Sequence, residues 1–125
     1  AVMITIRFFS DYFFLSAILV FLGHLFPIWL KFKGGKGVAT YLGILFGLNF
    51  FYAVVFILSW LTIIFITKFV SLGSLVSSLI VLSMNVYFEG LNDSIMLFLF
   101  LVLIIYSHRT NIGRLKSGTE SKINL

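Results

Sequence analysis

From position 38 to position 67 the chain carries no charged residue, reading VATYLGILFGLNFFYAVVFILSWLTIIFIT before Lys68 closes the run. Thirty residues in one helix reach about 45 Å, well past a hydrocarbon core of about 30 Å, while two full spans need about 40 residues. The rest of the sequence is of the same kind, 61% hydrophobic and 10% charged over 125 positions, with a mean hydropathy of +1.16. A soluble domain of that length has too little interior to hide so much apolar surface. The chain therefore reads as an all-α, polytopic helix bundle in a lipid bilayer, one integral-membrane domain over residues 1–125.

The lysines decide how the long run is divided. Apolar segments fall at 1–6, read as the tail of a preceding span, and at 12–30, 38–67, 71–87 and 91–106. A break near Asn49 gives a short helix over 38–48 and a full one over 50–67, so that Lys68 returns to the side of Lys31, Lys33 and Lys36. The two spans that follow bring Arg109, Arg114, Lys116 and Lys122 to the same side. Eight of the nine basic residues, all but Arg7, then share one face, which the positive-inside bias makes cytoplasmic. An unbroken helix separates Lys68 from the lysine loop instead. The expectation is about five helices after the tail of another. One of them, of about 16 Å, is too short to cross lipid and must be sheltered.

Local signals refine this frame. Pro27 lacks an N–H and crowds the carbonyl of Gly23, so the first full span should kink or loosen there. Asn92 and Asp93 are expected to cap the last helix, with Glu89 in the same solvated loop. Trp29 and Trp60 read as interfacial or packing residues, and Ser71, Gly73, Ser74, Ser77 and Ser78 suit close helix contact. The abrupt apolar start, with no initiator methionine and no signal-peptide pattern, points to a missing N-terminus.

Composition also removes whole classes of chemistry. With no cysteine there is no disulfide, thiolate metal site or thiol nucleophile. The two histidines, His24 and His108, are distant in sequence and lack acidic companions, so neither a metal nor a cofactor is expected. The net charge of +5 sits between apolar spans, which makes it a topology signal with no nucleic-acid partner implied.

Two segments concentrate polar chemistry. In GHLFPIWLKFKGGKGVAT, positions 23–40, Gly34, Gly35 and Gly37 allow close backbone approach and Lys36 adds a flexible charge. The apolar helix that follows presents unpaired N–H groups and the positive end of its dipole, a setting for phosphate or carboxylate. The pattern is not GxxxxGK[ST], and a surface loop whose lysines only set topology remains the alternative. In SHRTNIGRLKSGTESK, positions 107–122, a continued helix puts His108, Asn111 and Arg114 on one face, able to bind phosphate oxygens and move protons. An ordinary basic tail at an anionic membrane surface is the alternative there.

These two segments, with KFVSLGSLVSSL from Lys68 between them, resemble the bacterial acyl-phosphate:glycerol-3-phosphate acyltransferases, the PlsY family, in order and spacing. The resemblance implies a multi-pass enzyme of the bacterial inner membrane with its active site and C-terminus in the cytoplasm. It would move an acyl group from acyl phosphate to the sn-1 hydroxyl of glycerol 3-phosphate, giving lysophosphatidic acid and phosphate. It places Gly34, Gly35, Lys36, Gly37 and Thr40 at the phosphate site and His108 and Asn111 at the functional histidine and asparagine. Glu120 matches a glutamate that secures structure, and Ser71 and Ser74 match a family pattern. His24 is open to a structural or a direct catalytic role. Acyl phosphate is already activated, so no nucleophilic serine or cysteine is needed. Lys36, Arg109 and Arg114 can neutralise two anionic substrates. The general base is His108 or a substrate phosphate.

The family's first motif, a Ser-Gly-Asn loop followed by an arginine, has no counterpart here, and the chain resembles roughly the last two-thirds of a member. The expectation is that it is inactive alone. Two other classes remain: a transporter or channel for a phosphorylated or carboxylated solute, built on the short sheltered helix, and a degenerate structural fragment.

Overall fold

The computed structural model describes residues 2–8, 10–27 and 34–124, and among them every regular element is helical. The chain forms two compact units, Ala1–Ala53 and Val54–Leu125.

The first unit holds α1 (Val2–Phe8), a 3-10 turn (Ser10–Tyr12), α2 (Phe13–Leu25), α3 (Val38–Leu48) and the first turn of α4 (Phe50–Thr67). Helix α1 packs on both α2 and α3, and α2 on α3. Phe13, Ala17, Phe21 and Leu25, every fourth residue of α2, are buried, as are Tyr41, Ile44 and Leu45 of α3. This is the stripe that a 3.6-residue period places on one face. The Thr5 hydroxyl donates to Ser16 Oγ at 3.0 Å and joins α1 to α2.

Helix α2 is shorter than the predicted span over 12–30. It ends at Leu25, and Phe26 takes φ −126°, ψ 58°, outside the helical region because the ring of Pro27 crowds the residue before it. The remainder of that span, with Trp29, Lys31 and Lys33, lies outside the described residues.

The break near Asn49 is present. Asn49 is extended at φ −160°, ψ 120°, and its N–H still donates to the Leu45 carbonyl at 2.8 Å. Its Oδ1 accepts the Phe51 N–H at 2.9 Å, and its carbonyl accepts those of Tyr52 and Ala53. One residue thus closes α3 and opens α4, supplying partners that helix ends otherwise lack. The short helix has 11 residues, as the charge pattern required.

The second unit contains the rest of α4 with α5 (Val70–Glu89), α6 (Ile95–Ser107) and α7 (Arg109–Lys116). Helices α4 and α5 are each long and apolar enough to cross a bilayer; α6 qualifies only together with α7, from which it is bent by 62°. Ser71, Gly73, Ser74, Ser77 and Ser78 of α5 are all buried. An added Cβ at Gly73 would stand 3.1 to 3.3 Å from Ile64 and Trp60, so glycine is what lets α4 approach. Trp60 Nε1 donates to Ser74 Oγ at 3.2 Å, while Ser74 and Ser78 donate to carbonyls four residues back.

The predicted caps at Asn92 and Asp93 are corrected: both are exposed, and Ser94 occupies the N-cap of α6 with no side-chain cap bond. Ser94 Oγ lies 2.7 Å from both Asn85 Oδ1 and the Gly90 carbonyl. That buried link between the end of α5 and the start of α6 fixes where the helix begins.

The C-terminal segment folds back on its own unit. The Ile123 N–H donates to the Lys68 carbonyl at 2.9 Å, and Lys122 Nζ lies 5.6 Å from the centre of the Phe69 ring. Lys68 itself is left-handed at φ 62°.

Candidate functional site

In the first unit the glycine loop lies against the end of α2. A Cβ at Gly34 would run into the carbonyl oxygens of His24 and Leu25, and one at Gly35 into Nε2 of His24. The Gly35 N–H donates to the His24 carbonyl at 3.3 Å. Gly37 is the N-cap of α3 at φ 79°, and its missing Cβ would sit 2.6 Å from the edge of the buried Phe21 ring. All three positions exclude a side chain, two by contact and the third also by its backbone angle.

Because α3 starts at Val38 and its first helical bond is from Tyr41 to Gly37, the N–H groups of Val38, Ala39 and Thr40 lack i−4 partners. Lys36, exposed, stands immediately before them. An ammonium group, the positive helix end and backbone donors follow one another from Lys36 to Thr40, which is chemistry for an oxyanion. His24 is exposed in the last turn of α2, with its ring beside Gly35, so the structure puts it under the loop and not deep inside a span.

In the second unit the centre is Glu120, whose side chain is 5% exposed. Its Oε1 accepts from Ser71 Oγ and from Asn111 Nδ2, each at 2.6 Å, and its Oε2 accepts from Arg114 Nε at 2.6 Å. The Ser71 hydroxyl first, then the Asn111 amide and the Arg114 guanidinium, hold the carboxyl well below the usual range, at about 2, against the opposing effect of burial. This group stands outside the spans. Asn111 is buried, and its Oδ1 has no hydrogen-bond partner among the described residues. With Nδ2 committed to Glu120, the amide is oriented and Oδ1 is an acceptor for an incoming hydroxyl.

His108 occupies the corner between α6 and α7 and is 1% exposed. Its Nδ1 is 2.9 Å from the Ile104 carbonyl, which can only accept, so Nδ1 carries a proton. Of the residues predicted to share a face, Asn111 and Arg114 converge on Glu120. Arg109, named for charge neutralisation, turns outward, donating to the Tyr106 carbonyl at 3.1 Å and stacking 4.6 Å from that ring. Ser74 is tied to Trp60 one turn beyond Ser71. Sequence reasoning used Lys68 only as a topology marker and did not single out Ile123, yet the bond between them holds the segment bearing Glu120 in place. Neither a positive φ at lysine nor a tail contact leaves a local signal.

The sequence pattern of the family described as glycerol-3-phosphate acyltransferase matches residues 1–118. The chain belongs to that family. A glycerol-3-phosphate acyltransferase of Pelagibacter ubique (strain HTCC1062) is 52% identical over 117 residues, covering 94% of this chain and 61% of that relative. One from Thermotoga petrophila (strain ATCC BAA-488 / DSM 13995 / JCM 10881 / RKU-1) is 48% identical over 111 residues, or 89% and 57%. The chain thus spans about three-fifths of the length of these family members. Crystal structures of PlsY (YgiH), an integral membrane glycerol 3-phosphate acyltransferase, in its glycerol 3-phosphate and lysophosphatidic acid forms, superpose with a TM-score of 0.88 at 33% identity. The glycerol 3-phosphate form covers 98% of this chain and 64% of its own. With these relatives and its apolar spans, the chain is an all-α membrane protein. Membership of the family sets the solute transporter aside.

Proposed function

We propose that this chain is the acyl-transfer portion of a membrane enzyme that acylates the sn-1 hydroxyl of glycerol 3-phosphate from acyl phosphate. A bond forms between that hydroxyl oxygen and the acyl carbonyl carbon, and the bond from this carbon to the phosphate oxygen breaks. Inorganic phosphate leaves with the electron pair. The proton passes to His108 Nε2, and the product is lysophosphatidic acid. The observation that carries this reading is the buried and oriented Oδ1 of Asn111, which has no partner among the described residues and lies three positions from a histidine whose Nδ1 proton is committed to Ile104. Glycerol 3-phosphate carries two hydroxyls: Oδ1 can accept from the sn-2 hydroxyl and so hold the substrate, which leaves the single proton of the sn-1 hydroxyl to the base.

The reading gives each further residue a task. Gly34, Gly35, Gly37, Lys36 and the α3 N–H groups up to Thr40 bind phosphate. Glu120, paired with Arg114, and Ser71 fix Asn111, while Ser74 ties the same helix to Trp60. His24 shapes the loop from beneath. The basic face is cytoplasmic and the bilayer is the inner membrane of a bacterium, in keeping with the lysine distribution. The whole of residues 1–125 acts as part of one membrane domain.

The test is phosphate release from palmitoyl phosphate in lipid, with and without glycerol 3-phosphate, beside a Lys36→Ala, His108→Ala double variant. It is run on this chain and on the chain joined to the preceding portion of a family member. Release that depends on glycerol 3-phosphate and vanishes in the variant is the expected result. Silence of both proteins, folded, overturns the proposal.

A further inference from the structure

Helix α7 has two faces with different occupations. His108, Asn111 and Leu115 run along the inner one, the first two 1% and 3% exposed. Arg109, Gly113 and Lys116, at i, i+4 and i+7, run along the outer one, all exposed, with Thr110 and Ser117 beside them. The charge of Arg114 is met by Glu120, so the two cations left on the helix, Arg109 and Lys116, stand on this outer strip. Between them Gly113 leaves an opening, since nothing lies within 4 Å of where its Cβ would be.

The strip does not begin at α7. Val102, Ile105 and Tyr106, one and two turns before Arg109 on the same side, are 46%, 44% and 50% exposed. Arg109 stacks on Tyr106 and so joins the apolar flank of α6 to the basic face of α7. The 62° bend turns α7 away from the axis of α6. Apolar side chains, an aromatic ring at the polar boundary, then two cations around a gap form, in that order, the complement of a lipid: tails, glycerol region, phosphate.

We infer that this strip is a docking site for an anionic phospholipid, with the headgroup phosphate between Arg109 and Lys116 over Gly113 and the tails along Val102, Ile105 and Tyr106. The site is separate from the Asn111 face and stands whether or not the catalytic reading holds. Its occupant belongs to the bilayer, and binding fixes α7, and with it the inner face, at the level of the headgroups.

The test is native mass spectrometry of the whole chain released from neutral detergent, measuring retained phosphatidylglycerol and phosphatidylcholine. It compares the wild type with Arg109→Gln, Lys116→Gln and, separately, with Gly113→Leu. The double variant should lose about thirtyfold in phosphatidylglycerol affinity at low salt while holding phosphatidylcholine as before. Gly113→Leu, which keeps both charges and improves the helix, should also weaken phosphatidylglycerol by filling the gap. Unchanged phosphatidylglycerol retention in the double variant overturns the site. So does equal loss of both lipids, or displacement of phosphatidylglycerol by millimolar inorganic phosphate.

Discussion

Ser71 and Glu120 stand 49 residues apart in the chain and share a 2.6 Å hydrogen bond. The bond runs from the first turn of α5 to the tail beyond α7. Through the same carboxylate oxygen it reaches Asn111, so a serine in a membrane helix takes part in fixing an amide that no local sequence pattern connects to it.

Removing the Ser71 hydroxyl should therefore loosen the tail. A hydrogen bond to a charged group contributes about 1.5–3 kcal/mol, and Ser71→Ala is expected to lower stability by that amount in unfolding by sodium dodecyl sulfate from mixed micelles. Asn111→Asp should cost more, because it replaces a donor to the carboxylate with a second negative charge. Equal stability of Ser71→Ala and the wild type would mean that the bond is dispensable.

The same cluster sets an acid limit. The Glu120 carboxyl ionises at about 2 in the folded protein, against an ordinary value of 4.5, so its contribution to stability is fully present above pH 4.5 and is lost as pH falls toward 2. A 13C-labelled Glu120 carboxyl should still report the ionised form at pH 3.5, and Ser71→Ala should move its midpoint upward. A wild-type midpoint near 4.5 would show that the three donors do not hold it.

The loop glycines should rank by what their missing side chains would strike. Gly34→Ala is expected to be the most damaging, since its Cβ meets backbone carbonyls of α2 that cannot move aside. Gly37→Ala adds about 1–2 kcal/mol of left-handed strain to a contact with Phe21. Gly35→Ala strikes only the His24 ring, so His24→Ala should rescue it, a coupling that a double-mutant cycle on thermal stability reads directly. Additive effects of the pair would show that the ring is not the obstacle.

Lys68→Gly should stabilise the chain. Its φ of 62° costs a non-glycine residue about 1–2 kcal/mol, and the extra freedom of glycine in the unfolded chain returns about 0.5–1 of that. A gain of about 0.5–1 kcal/mol is expected in the same unfolding assay. A loss would mean that the Lys68 side chain does more for the fold than the angle costs.

Much of the helix order was readable because lipid penalises misplaced charge. The position of Lys68 relative to the lysine loop was enough to divide positions 38–67, and Asn49 then supplied the break with its own side chain. The end of α2 was half legible: Pro27 announced a disturbance, but its effect fell earlier, at Phe26. The α6 cap was misread because the preference for Asn and Asp at helix starts is local, while Ser94 is held by Asn85 from another helix. The corner at His108 carried no glycine or proline. It coincides with side chains taking backbone carbonyls, Nδ1 of His108 that of Ile104 and the guanidinium of Arg109 that of Tyr106, and such bonds are visible only in three dimensions. Likewise the loop glycines were legible as permissive backbone, but His24, Leu25 and Phe21 as the reason for them were not.

The bond from His108 Nδ1 to Ile104 has a mechanical consequence. The ring belongs by sequence to the junction, yet its anchor is the last turn of α6, so when that span tilts to match a thicker or thinner bilayer the imidazole tilts with it. Asn111 is instead moored through Glu120 to α5. Membrane thickness thereby becomes a variable that changes the angle between the His108 ring and the Asn111 amide, without altering a single residue of either.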